Sequence, residues 1–162
     1  MSNQTLSYIK QAIINEIEGY EFYRMAAGQS RDLSIKETYL ELAEEERKHV
    51  VWLQDLHKKL DNKEHNLDLD TIEAPPSPDI FNWKHLDRED PKTTLSVFGI
   101  AMQLEKASYE FYKKVGNEVD DEIVKKLFSI LETWERNHYE TFDKEYKLLK
   151  DEWWNEQGFA PF

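Results

Sequence analysis

Two copies of one pattern run through the chain. The first reads Ala12-Ile-Ile-Asn-Glu16-Ile-Glu-Gly-Tyr20-Glu-Phe-Tyr23, followed by Glu46-Arg-Lys-His49. The second reads Ala101-Met-Gln-Leu-Glu105-Lys-Ala-Ser-Tyr109-Glu-Phe-Tyr112, followed by Glu135-Arg-Asn-His138. Every residue of the second copy is numbered 89 above its counterpart, so Glu16 matches Glu105, Glu46 matches Glu135 and His49 matches His138. Four carboxylates and two imidazoles form an oxygen-rich donor set that suits iron or manganese, and zinc can bind it adventitiously. Glu and His at i and i+3 share one helix face. Each Glu-x-x-His can therefore grip one ion while its carboxylate bridges toward a second.

Where these residues sit separates a metal site from a solvated acidic run. Leu6, Ile9, Ile13, Glu16, Tyr20, Tyr23 and Ala27 alternate spacings of three and four, as do Leu95, Phe98, Met102, Glu105, Tyr109, Tyr112 and Gly116. Ile35, Tyr39, Leu42, Glu46, His49, Leu53, Leu56 and Leu60 form a third seam. Val124, Phe128, Leu131, Glu135, His138, Phe142 and Leu149 form most of a fourth. Such spacing marks one buried stripe per helix. An ionised carboxylate on a buried stripe is costly without a counter-charge, and no Lys or Arg shares these seams. Two divalent ions would balance Glu16, Glu46, Glu105 and Glu135.

The repeat also sorts the neighbouring acids. Glu18 competes with Glu16, but its counterpart is Ala107, so Glu16 is the expected ligand. Glu44 and Glu45 read as solvated, and Glu21 and Glu110 fall off the seam. Tyr20, Tyr23, Tyr109 and Tyr112 share the ligand face; all pack in the core on this reading, and Tyr23 and Tyr112 are candidates to donate hydrogen bonds to ligand carboxylates. Trp52 and Trp134 lie near the site. His57, His65 and His85 have no repeat partners and read as ordinary surface or linker residues.

Four helices must position these groups, over roughly 3–27, 33–61, 91–115 and 120–150, in a single domain spanning 1–162. Ser34-Ile-Lys-Glu37 resembles a capping box, and Asp90-Pro91 offers an N-cap followed by proline at the first helical position. Short loops make helices one and two a hairpin, and three and four another. Pro75, Pro76 and Pro78 forbid a continuous helix in the linker 62–90. Extended, that linker reaches about 90 Å at ~3.3 Å per residue, while helices of this length are only about 40–45 Å long. It can cross the bundle or carry one hairpin to a neighbouring subunit. The aromatic tail 151–162, with Trp153 and Trp154, is expected to dock on the bundle or a partner. The fold expected is an all-α four-helix bundle of two hairpins joined by a long crossover.

Composition bounds the function. A net charge of −12 argues against nucleic acid or anionic membrane as partner. The 162 residues contain no cysteine, which excludes disulfides, thiolate zinc sites and iron–sulfur clusters within them. With no membrane-length apolar run and no signal-peptide pattern, the chain is expected to be cytoplasmic.

Through Glu16-Ile-Glu-Gly-Tyr-Glu-Phe-Tyr23, Leu42-Ala-Glu-Glu-Glu-Arg-Lys-His49 and their copies ending at Tyr112 and His138, the chain resembles the rubrerythrin family of the ferritin-like superfamily. The resemblance implies two iron ions held by Glu16, Glu46, His49, Glu105, Glu135 and His138. It also implies an oxidoreductase, a peroxidase reducing hydrogen peroxide or an oxidase reducing dioxygen. The alternative is iron handling: ferroxidase, storage or delivery without peroxide turnover. Two departures stand out. Rubrerythrins proper carry a cysteine-ligated rubredoxin domain, and these residues have no cysteine, so an external electron donor such as a rubredoxin is expected. Many family members also carry a further glutamate three residues after the third-helix ligand, where this chain has Ser108, with Gly19 as its counterpart. A homodimer is the expected assembly.

Overall fold

A computed structural model of the chain describes residues 3–62 and 91–158. They form four helices: α1 (Asn3–Gln29), α2 (Leu33–Asp61), α3 (Pro91–Glu118) and α4 (Glu122–Glu156). α1 packs along α2 and α3 along α4, and the two hairpins meet most closely through α1 and α3. The architecture is the four-helix bundle expected from the seams.

The helix ends follow local chemistry. α2 is capped by Asp32, whose carboxylate accepts from the Ile35 backbone N–H at 2.9 Å. The expected box at Ser34 is therefore displaced two residues upstream. α4 is capped by Asp121, which accepts from Ile123 and Val124. These caps satisfy donors that have no partner inside the helix. α3 begins at Pro91, and its expected cap Asp90 lies outside the described residues. It runs through Gly116, past the expected end, because Val115 and Val119 are buried and continue its apolar stripe. α4 also outruns its expected end at 150. No glycine or proline interrupts it before Gly158, which takes a left-handed φ of 69°. Trp153 and Trp154 are thus part of a helix, the first half-buried and the second exposed. The rest of the expected tail, like the linker 63–90, lies outside the described residues.

The core has two apolar layers, each built from all four helices. One contains Ile9, Leu53, Tyr112 and Leu131; the other contains Tyr23, Tyr39, Phe98 and Phe142. The first layer joins the start of α1, the end of α2, the end of α3 and the start of α4. Hence α1 and α4 run one way, and α2 and α3 the other. α2 ends at the opposite end of the bundle from where α3 begins, the polarity a long crossover requires. Between the apolar layers lies a charged one.

Candidate metal centre

The charged layer is Glu16, Glu46, His49, Glu105, Glu135 and His138, each between 2% and 3% exposed. α1 and α3 supply one glutamate each; α2 and α4 each supply Glu and His one turn apart. Two overlapping sets of ligand atoms converge, Glu16, Glu46, His49 and Glu135 in one, and Glu46, Glu105, Glu135 and His138 in the other, with all atoms of a set within 4.8 Å of one another. Glu46 and Glu135 belong to both. The arrangement has the pseudo-twofold symmetry of the repeat, with the α2 and α4 carboxylates central and the α1 and α3 carboxylates flanking.

Both histidines turn Nδ1 inward. His49 Nδ1 lies 2.9 Å from Glu16 Oε2, 3.3 Å from Glu46 Oε2 and 3.7 Å from Glu135 Oε1. His138 Nδ1 lies 3.5 Å from Glu105 Oε2 and 3.9 Å from Glu46 Oε1. The buried tyrosines cross between hairpins: Tyr23 O–H donates to Glu105 and Tyr112 O–H donates to Glu16. Each phenol on α1 or α3 thus braces the flanking glutamate of the other helix. Both phenols are held well above their ordinary pKa, by burial first and then by the Glu105 charge for Tyr23 and the Glu16 charge for Tyr112, so they remain donors.

Without metal, the carboxylates must share protons. Burial raises Glu46, and the charges of Glu16 and Glu105 push it further above its usual value. Glu135 is raised likewise, by burial and then by Glu16, Glu46 and Glu105. Burial works against ionising Glu16, but hydrogen bonds from Glu46 and His49 outweigh it and bring the pKa down to about 2. Glu105 is lowered, since its interactions with His138 and Glu135 overcome burial. Burial would lower His138, yet Glu105 and then Glu45 lift it to about 10. Proton binding is thus favoured on the central pair, Glu46 and Glu135, and on His138, and disfavoured on the flanking pair.

These residues fit a pair of divalent cations. His138 Nδ1, Glu105 Oε2 and Glu135 Oε1 are buried, face the cluster and have no hydrogen-bond partner among the described residues. A buried polar atom without a partner is costly, and an ion at the centre would satisfy all three. The donor set of carboxylate oxygen and imidazole nitrogen is one that first-row divalent metals accept.

A cavity of about 90 Å³ adjoins the cluster, lined by Glu16, Glu46, Glu105 and Glu135 with Asn15, Glu18, Gly19, Leu104, Ala107 and Ser108. Its origin is legible in the helix register. The buried positions are 5, 9, 12, 16, 23, 26 and 27 on α1, and 98, 101, 105, 112 and 115 on α3. The seam position that follows each glutamate is Gly19 or Ser108, neither of which fills it. A Cβ added at Gly19 would touch Glu46, 3.4 Å from its Cγ and 3.5 Å from its Cδ. The stripe is thus centred slightly away from Ile13, Tyr20, Met102 and Tyr109, which are only half-buried.

Other expectations divide. Glu18, Glu21 and Glu110 are exposed. Glu44 is solvated and pairs with Arg47 at 2.7 Å. Glu45 is not solvated as expected: it turns inward, and its Oε2 lies 3.2 Å from His138 Nε2. Trp134 stacks on His49 with ring centroids 4.7 Å apart, and Trp52 packs against Trp134 at 5.7 Å. His57 is half-buried rather than a surface residue, while His65 and His85 lie outside the described residues.

A solved structure of a hypothetical protein from Pyrococcus furiosus is similar to the chain, with 29% identity over 91% of this chain and 90% of that one, and a TM-score of 0.67. No curated protein matches. The family model described as Rubrerythrin matches residues 7–146, a span that includes all six residues of the charged layer. The chain belongs to the rubrerythrin family.

Proposed function

We propose that the chain is a diiron oxidoreductase that reduces hydrogen peroxide or dioxygen with electrons from an external donor. Glu16, Glu46, His49, Glu105, Glu135 and His138 would hold the two ions, with Glu46 and Glu135 shared between them. The observation that carries this reading is the pair of overlapping ligand sets in a buried layer, in which His138 Nδ1, Glu105 Oε2 and Glu135 Oε1 have no hydrogen-bond partner among the described residues. When bound, two ferrous ions supply one electron each and charge stabilisation for a two-oxygen substrate.

The protein's own residues define what that substrate can be. The cavity beside Gly19 and Ser108 reaches all four glutamates and suits a molecule of a few heavy atoms. Gly19 leaves one flank of Glu46 free of a side chain, which would give that carboxylate room to move beside a bound ion. Tyr23 and Tyr112 hold Glu105 and Glu16 in place through hydrogen bonds, and their buried phenols keep their protons. The apolar layers on either side exclude bulk water. No thiolate relay can form within these 162 residues, so reducing equivalents reach the site from outside them, with a rubredoxin-type donor as the source we propose.

Ser108 stands where many family members place an extra glutamate, and this favours testing both oxidants side by side. Anaerobic diferrous protein is mixed with hydrogen peroxide and, separately, with dioxygen, and oxidation is followed by absorbance. Faster oxidation by peroxide, with turnover only when a donor is added, is the expected result. Faster oxidation by dioxygen would replace the peroxidase reading with an oxidase or ferroxidase. Accumulation of iron beyond two ions per chain would favour storage.

A further inference from the structure

Among the positions next to the metal ligands where the repeat breaks, one pair of side chains reaches the ligand histidines. The residue before each central glutamate is Glu45 in the first copy and Trp134 in the second. Both reach across the bundle to the histidine of the other hairpin. Glu45 Oε2 lies 3.2 Å from His138 Nε2, with the Glu45 side chain only 15% exposed. Trp134 instead lays its ring over His49, with an interplanar angle of 16°. His49 Nε2 is buried and has no hydrogen-bond partner among the described residues.

The consequence follows from imidazole chemistry. A neutral histidine that ligates through Nδ1 carries its proton on Nε2. In His138 that proton is donated to a carboxylate, which fixes the tautomer, orients the ring and makes Nδ1 a stronger donor. In His49 the same proton meets no acceptor, and a buried N–H left unpaired is unfavourable. Stacking on Trp134 fixes the plane of the ring without improving its basicity. Glu46 and Glu135 serve both positions, and Glu16 and Glu105 are each braced by one tyrosine, so none of these discriminates.

We propose that the two metal positions are unequal, the one formed with Glu105 and His138 binding its ion first and more tightly because Glu45 anchors His138. This rests on the two-metal reading above. Glu45 is a positioning residue: it acts through His138.

The test is an anaerobic titration of the metal-free full chain with cobalt(II), followed by calorimetry and by visible absorption, with folding checked by circular dichroism. The tighter binding step should survive in His49→Ala and be lost in His138→Ala. Glu45→Leu should weaken that step by roughly 10–100-fold, the range seen when the hydrogen-bond partner of a metal-bound histidine is removed. Glu45→Gln, which keeps an acceptor, should recover part of the loss, and Trp134→Phe should leave the tighter step unchanged. The proposal is overturned if His49→Ala and His138→Ala retain sites of equal affinity, or if Glu45→Leu weakens both steps alike or neither. Failure of the unaltered chain to bind cobalt(II) at all would overturn the metal-centre reading itself.

Discussion

At the scale of single residues, the repeat says more than any one motif. Glu16 and Glu18 are two residues apart on one helix, and only the comparison with Glu105 and Ala107 separates them. In the folded chain Glu16 is buried within the charged layer and Glu18 is exposed at the cavity rim. Glu16→Ala and Glu105→Ala should therefore each cost at least one ion per chain, with affinity for the remaining ion reduced by about tenfold or more. Glu18→Ala should keep full occupancy. Elemental analysis of reconstituted variants decides this, and full metal in Glu105→Ala beside loss in Glu18→Ala would show the wrong glutamate was chosen. What the sequence concealed was Glu45. Inside Glu44-Glu45-Glu46 it looks like one more solvated acid, and its contact with His138 depends on how two hairpins face each other. The signal was present only as an oddity, an acid whose repeat partner is tryptophan.

At the scale of elements, the α2 and α4 stripes were legible nearly whole, because three- and four-residue spacings of large apolar residues leave little choice of face. The α1 and α3 stripes were displaced, since small residues, Ala12, Ala26 and Ala101, occupy the inside where tyrosine and methionine drew attention. The cavity is the product of that displacement. The charged layer also makes the packing of all four helices depend on pH. Glu46 and Glu135 have folded pKa values raised above the ordinary 4.5, and His138 is raised from 6.5 to about 10. Each binds its proton more tightly folded than unfolded. The stability each contributes is thus complete below its unfolded pKa and is lost as pH rises toward its folded one. Glu16, lowered to about 2, works the other way, but its contribution is complete above 4.5 and constant beyond. Metal-free protein should accordingly melt at lower temperature at about pH 8.5 than at about pH 5.5. Ferrous or manganous ion should raise the melting temperature, and more so at the higher pH, because the ions take the place of protons. Thermal melts by circular dichroism test both statements; a metal-free transition indifferent to pH would mean the acids are solvated.

For the whole molecule, no described helix is long and apolar enough to cross a membrane. Ile14, Met25, Leu40, Val51, Ile100 and Trp154 remain exposed on the bundle. Surface of that kind is available for a second copy of the chain, and light scattering should return twice the 19.4 kDa chain mass; a monomer across micromolar concentrations would remove the dimer. The antiparallel pairing within each hairpin was legible from loop lengths, whereas the course of the crossover was not, since prolines say only where a helix cannot run. Everything proposed about activity depends on two ions being held in the charged layer. The most direct measurement is the metal content of the full chain after anaerobic reconstitution with ferrous iron and removal of unbound metal. Two iron ions per chain is the predicted result, and one ion or none would contradict it.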